Sequence, residues 1–197
     1  MKIWYLKFIL DKFERFDLLN LDNFELKDGE ILLLFSDKFD NYSYDDLSLS
    51  DKIKLKNNPN LAQNSKFKIS RSLKIYFEKN YKNIKNIPLY TSLSHSDNCA
   101  ILAISTTRVG VDLELIKDRN FSAHIDFCFS KEQRLRVANS KNQLIEFYKI
   151  WTLKEARVKL LNLGFYALDM ASDESLGAFV EIVKCSDKSF IYSVAIF

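Results

Sequence analysis

Val109-Gly110-Val111-Asp112-Leu113-Glu114 decides how this chain is read. Val111, Leu113 and Leu115 alternate with Asp112 and Glu114, the period of a half-buried β-strand, so both carboxylates project from one face. Further along stands Trp151-Thr152-Leu153-Lys154-Glu155-Ala156-Arg157-Val158-Lys159. Here Trp151, Glu155 and Lys159 recur at i, i+4 and i+8 and line one stripe of a helix. If strand and helix face each other, three carboxylates and an ammonium converge. Such a cluster is costly unless a hard cation and an anionic ligand neutralise it, which points to Mg²⁺ and phosphate.

The 197 residues suffice for one large or two small domains. With 47% apolar residues, 16 Phe and 9 Tyr, the chain can bury a real core. A net charge of +3 is too weak to argue for nucleic acid, but it is compatible with a local basic patch for an acidic partner. Cys99, Cys128 and Cys185 are isolated, odd in number and without metal spacing, and read as reduced core thiols of a cytoplasmic protein. The apolar start, Met1 to Leu10, is interrupted by Lys7 and followed by Asp11-Lys12, without a small-residue cleavage site. It reads as a first strand, not a signal peptide. No apolar run is long enough to span a membrane.

Outward from the opening motif, strands are expected over 2–10, over 30–35 (or a buried helical turn there), and over 89–96, 99–105 and 109–115. Residues 36–50 read as loop. A short Ser-capped helix is expected over 50–57 and a longer helix over 61–80, with Pro88 breaking the chain afterwards. Ser130-Lys131-Glu132-Gln133 opens a helix with a good N-cap. A long helix follows over 142–163, ended by Gly164, then strands near 165–168, 178–184 and 190–197. Cys99–Ile104 and Ile191–Ile196 share a pattern, and each ends one half of the chain. The expectation is an α+β fold of two similar, pseudo-duplicated lobes. Each is a small sheet packed with a long helix, over 1–105 and 106–197, with the site in the cleft between them. The second lobe carries most metal ligands.

A third segment, Ser92-Leu93-Ser94-His95-Ser96, adds side-chain and backbone donors suited to an anion at the end of a strand. Ser94-His95-Ser96, Gly110-Val111-Asp112-Leu113-Glu114 and Trp151 through Lys159 occur in the order found in 4′-phosphopantetheinyl transferases of the long, pseudo-dimeric, surfactin-synthetase-activating type, and the chain resembles that family over nearly its whole length. Phe129-Ser130-Lys131-Glu132 is similar to the family's Phe-Ser-x-x-Glu. The resemblance implies Mg²⁺-dependent transfer of 4′-phosphopantetheine from coenzyme A to a serine of an apo acyl, peptidyl or aryl carrier protein, releasing adenosine 3′,5′-bisphosphate. It implies Asp112, Glu114 and Glu155 as metal ligands. The base is either Glu155 or a metal-bound water or hydroxide near Glu114. Lys159 contacts the pyrophosphate, and Ser94 and His95 contact phosphate oxygens of coenzyme A. The family's Gly-Lys-Pro is replaced by Lys82 to Pro88, where Lys85 stands in and the glycine is absent. Lys52 and Lys56, with Lys54, Lys66, Lys68 and Arg71, lie where the family holds the 3′-phosphate. Carrier proteins are usually acidic helical bundles, so Lys117, Arg119, Phe121 and Phe127 form a candidate docking rim. A monomer is expected, since two lobes supply both sides of one cleft. The alternative is a degenerate, non-catalytic protein that holds a carrier protein or coenzyme A. An unrelated metal-dependent phosphohydrolase or nuclease would need further acidic ligands or a basic groove.

Overall fold

A computed structural model describes residues 4–9, 12–17, 26–81, 88–163, 177–185 and 187–197. The chain divides into two compact units, Met1–Thr107 and Arg108–Phe197.

In the first unit, strands β1 (Trp4–Ile9), β2 (Lys12–Asp17), β3 (Ile31–Ser36), β4 (Tyr90–Ser96) and β5 (Cys99–Ser105) form an antiparallel sheet in the order β2-β1-β3-β5-β4. Strand β2 was not expected: its alternation of Phe13 and Phe16 with charged residues is weak, and pairing with β1 supplies the backbone partners that propensity does not. The segment expected over 30–35 is a strand, Ile31–Ser36, not a helical turn. Every residue of β3 and β5 is buried, which is why they read as unbroken apolar runs. Helix α1 (Leu49–Asn57) is capped by Ser48, and its neighbour Ser50 is already helical. The helix expected over 61–80 is split. A 3-10 turn covers Pro59–Gln63, and α2 (Ser65–Asn80) starts afresh where Asn64 accepts the Phe67 amide. One stripe of α2, Ile69, Leu73 and Phe77, packs on Leu32, Leu34, Ala100, Leu102 and Ile104 of the sheet. A second stripe, Phe67 and Ile75, packs on Leu47 and Leu55 of α1 and its approach. Strands β4 and β5 meet at Asp97-Asn98, where Asp97 takes φ 51°, a left-handed value that Asp tolerates.

In the second unit, β6 (Val109–Leu115), β7 (Gly177–Cys185) and β8 (Lys188–Ile196) pair antiparallel in the order β6-β8-β7. Cys99–Ile104 and Ile191–Ile196 both lie in an interior strand with a partner on each side, although the two sheets differ in strand number. Helix α3 (Ser122–Cys128), which no cap signalled, precedes α4 (Lys131–Asn139), opened by a full capping box of Ser130 and Gln133. The long helix α5 (Gln143–Leu160) is capped by Asn142. Gly164 and the strand expected near 165–168 lie outside the described residues. Cys99, Cys128 and Cys185 are free thiols, the first and last buried. Among the described residues no helix is long and apolar enough to cross a membrane.

Helix α5 crosses one face of this sheet. The register pairs Gly110 with Ala195, Asp112 with Ser193 and Glu114 with Ile191, so these six residues share a face. Thr152 and Ser193 hydroxyls meet at 2.6 Å across the contact. At Gly110 the approach is closest: a Cβ there would lie 1.9 Å from the Ala156 carbonyl oxygen and 2.6 Å from the Leu160 nitrogen. Both are backbone atoms, so the helix itself would have to move. Gly110→Ala is therefore expected to cost about 3 kcal/mol, the upper end of ordinary overpacking, in urea unfolding. A loss under about 1 kcal/mol would mean that α5 shifts freely.

Candidate active site

The close crossing of β6 and α5 sets the next residues on both elements side by side. Asp112 follows Gly110 on the same face and is only 2% exposed. Its Oδ1 accepts a hydrogen bond from Lys159 Nζ at 2.8 Å, and the same ammonium donates to the Val111 carbonyl at 3.0 Å. Glu155, one helical turn before Lys159, faces the same acids. Its carboxyl is pushed up to about 8, first by burial, then by the negative charge of Asp112, with Glu114 adding to it. Lys159 works in the opposite direction, and a hydrogen bond with Asp112 favours the protonated form.

Asp112, Glu155 and Lys159 thus interact directly, Glu114 acts on Glu155 through its charge, and the excess negative charge favours a proton on Glu155. The carboxyl groups are hard oxygen donors in charge surplus, which fits a hard divalent cation. Among the described residues no three His, Cys, Asp or Glu side chains stand grouped as a ready ligand set. The ammonium of Lys159 takes up the Asp112 charge instead.

The other residues expected at the site lie in the first unit or outside the described residues. Ser94 and His95 are successive on the edge strand β4 and therefore point to opposite faces, Ser94 buried and His95 exposed. Lys52 and Lys56 lie on α1. The Lys52 ammonium donates to the Asp45 carbonyl at 3.0 Å and sits over the Tyr44 ring. Arg71 is committed to structure. Its Nη2 bonds Asp51 Oδ1 at 2.7 Å, its plane lies over Phe67, and the pair ties α1 to α2. Burial alone would raise the Asp51 pKa, but the Arg71 hydrogen bond and charge outweigh it and hold that carboxyl below its ordinary value. Lys85 lies outside the described residues.

The expected docking rim also divides. Phe121 stacks on Phe147 with centroids 4.2 Å apart and is a packing residue, while Arg119 lies over the Tyr148 ring. Phe127 on α3 is 81% exposed. Trp151 belongs to the same aromatic cluster, edge-on to His124 and stacked with Phe147. Lys154 is buried, in keeping with a packing role. Sequence reading missed the part played by Gly110. A glycine in mid-strand was its only signal, and that signal marks close backbone approach.

Residues 108–190 match the family model of the 4′-phosphopantetheinyl transferase superfamily. The chain is 30% identical over 95 residues to the 4′-phosphopantetheinyl transferase gsp of Aneurinibacillus migulanus, covering 47% of this chain and 40% of the relative. It is 33% identical over 103 residues to the 4′-phosphopantetheinyl transferase AcpT of Salmonella typhi, covering 50% and 53%. To AcpT of Escherichia coli K12 it is 36% identical over 77 residues, covering 37% and 40%. The chain thus spans about half the length, or less, of the curated relatives it matches.

The raised carboxyl makes the metal-free protein sensitive to pH. Glu155 keeps its proton in the folded state up to about pH 8, whereas the unfolded chain releases it near 4.5. The proton's contribution to stability is therefore full below about pH 4.5 and is lost as pH rises towards 8. In chelator, the melting temperature of the wild type should fall between these values relative to Glu155→Gln, which has no proton to lose. Parallel curves for the two proteins would show that Glu155 is ordinarily solvated.

Proposed function

We propose, on the premise that residues 108–190 belong to the 4′-phosphopantetheinyl transferase superfamily, that this protein transfers the 4′-phosphopantetheine group of coenzyme A to a serine of an apo carrier protein. The observation that carries the proposal is the Asp112–Lys159–Glu155 cluster beneath α5. Asp112, Glu155 and Glu114 would hold Mg²⁺, which when bound offsets the negative charge of the pyrophosphate. The serine oxygen forms a bond to the β-phosphorus, and the bond from that phosphorus to the oxygen bridging it to the α-phosphate breaks. Adenosine 3′,5′-bisphosphate leaves with the bridging oxygen. Glu155, ionised in the loaded site, takes the serine proton. Lys159 is held between Asp112 and the Val111 carbonyl; in this reading its ammonium offsets the charge that develops on the leaving phosphate. Catalysis of this kind depends on positioning and charge more than on covalent help. Exposed Phe127 on α3 offers an apolar contact to the carrier.

The test is intact mass spectrometry of the host's apo acyl carrier protein after incubation with the protein, coenzyme A and Mg²⁺. A gain of one phosphopantetheine is expected, slowed at least about 100-fold by Glu155→Ala and by Lys159→Ala. Coenzyme A binding without transfer to any carrier would favour the non-catalytic reading. Absence of both coenzyme A binding and transfer overturns the assignment.

A further inference from the structure

Helix α1 presents two different faces. Asp51 and Leu55 point inward, to Arg71 and to the cluster of Leu47, Phe67 and Ile75. On the opposite side Leu49, Lys52, Ile53 and Lys56 follow one another at i, i+3, i+4 and i+7, a single stripe. Among the described residues nothing covers this outer stripe: Leu49 is 76% exposed, Ile53 49%, and neighbouring Tyr44 57%. Together with Pro59 and Ala62 of the following 3-10 turn they line a groove of about 530 Å³. Exposed large apolar side chains gathered in one groove and flanked by lysines are unlike a scattered surface, and such patches mark interaction sites.

We propose that this groove docks an acidic amphipathic helix of a partner protein. The apolar floor takes anchors spaced i, i+4, and Lys52 and Lys56 meet carboxylates on either side of them, the helix-in-groove mode of recognition. The one acid of α1, Asp51, is turned inward and neutralised by Arg71, so the outer stripe carries positive charge alone. That charge argues against a second copy of this chain, because a two-fold contact would set lysines against lysines. The apolar lining argues against a nucleotide phosphate as the occupant. The resemblance offered Lys52 and Lys56 to the 3′-phosphate of coenzyme A; the groove gives them to the partner helix instead, and none of Asp112, Glu114, Glu155 and Lys159 takes part.

The probe is a fluorescein-labelled, hydrocarbon-stapled helical peptide with Leu at i and i+4 flanked by Glu, titrated with the full chain and read by anisotropy. Saturable binding is expected, weakened by salt as exposed charge pairs are. Lys52→Glu with Lys56→Glu should weaken it at least about tenfold, as should Leu49→Ser with Ile53→Ser, while Lys52→Arg with Lys56→Arg retains it. These side chains are outward, and circular dichroism checks that each variant folds. Absent binding, or binding that the variants leave unchanged, overturns the proposal. So does reversible self-association abolished by Leu49→Ser with Ile53→Ser, which would assign the groove to a second copy. Loss of coenzyme A binding in the Lys→Glu variant, with peptide binding unaltered, returns the lysines to the nucleotide and overturns it equally.

Discussion

The absence of a side chain at Gly110 governs the second unit. It lets the backbone of α5 come against β6 at Ala156 and Leu160, closer than any Cβ permits. Ala156 and Ala195 are small for the same reason, and with Leu160 they close the contact. Once the crossing is fixed there, geometry carries the rest. Asp112 is the next residue of β6 on that face, and Lys159 and Glu155 flank Ala156 on the helix. Farther along α5, Phe147 and Trp151 engage Phe129, Phe121 and His124, which sets the helix's rotation about its own axis. One helix thus fixes the charged cluster and the aromatic core together.

The electrostatics of the cluster follow from its place under the helix. In water, Asp112, Glu114 and Glu155 would each ionise with little regard for one another. Under α5 their mutual repulsion is less screened, and water is scarce. Lys159 answers one charge, and Glu155 answers another by holding its proton. The proposed phosphoryl transfer makes the same demand, charge neutralisation at a fixed place.

The first unit shows how little a list of basic residues says by itself. Arg71 lies in the stretch where nucleotide contacts were sought, yet it spends its guanidinium on buried Asp51 and thereby joins two helices. Lys68 sits over the Phe39 and Tyr42 rings. The outer face of α1 sets two lysines beside exposed apolar groups, because Asp51 and Leu55 have taken the inner face. The division comes from helical periodicity, and its meaning comes from which side the α2 contacts occupy.

The sequence by itself determined the elements whose cause is local. The alternation of β6, the Ser130 capping box, the period of α5 and the buried run of β3 all follow from side chains near in the chain, and each stands where it was read. It also placed Asp112, Glu155 and Lys159 in one set, since two regular elements with fixed periods leave few ways for their polar stripes to meet. Tertiary structure alone decided which face of β6 lies under α5, because an alternating strand has two faces and nothing local chooses between them. It decided that Phe121 is core and Phe127 is not, that Arg71 serves Asp51, and that β2 and α3 exist at all. Those outcomes depend on partners distant in sequence, whose contact energies outweigh the weak local preferences of the segments themselves.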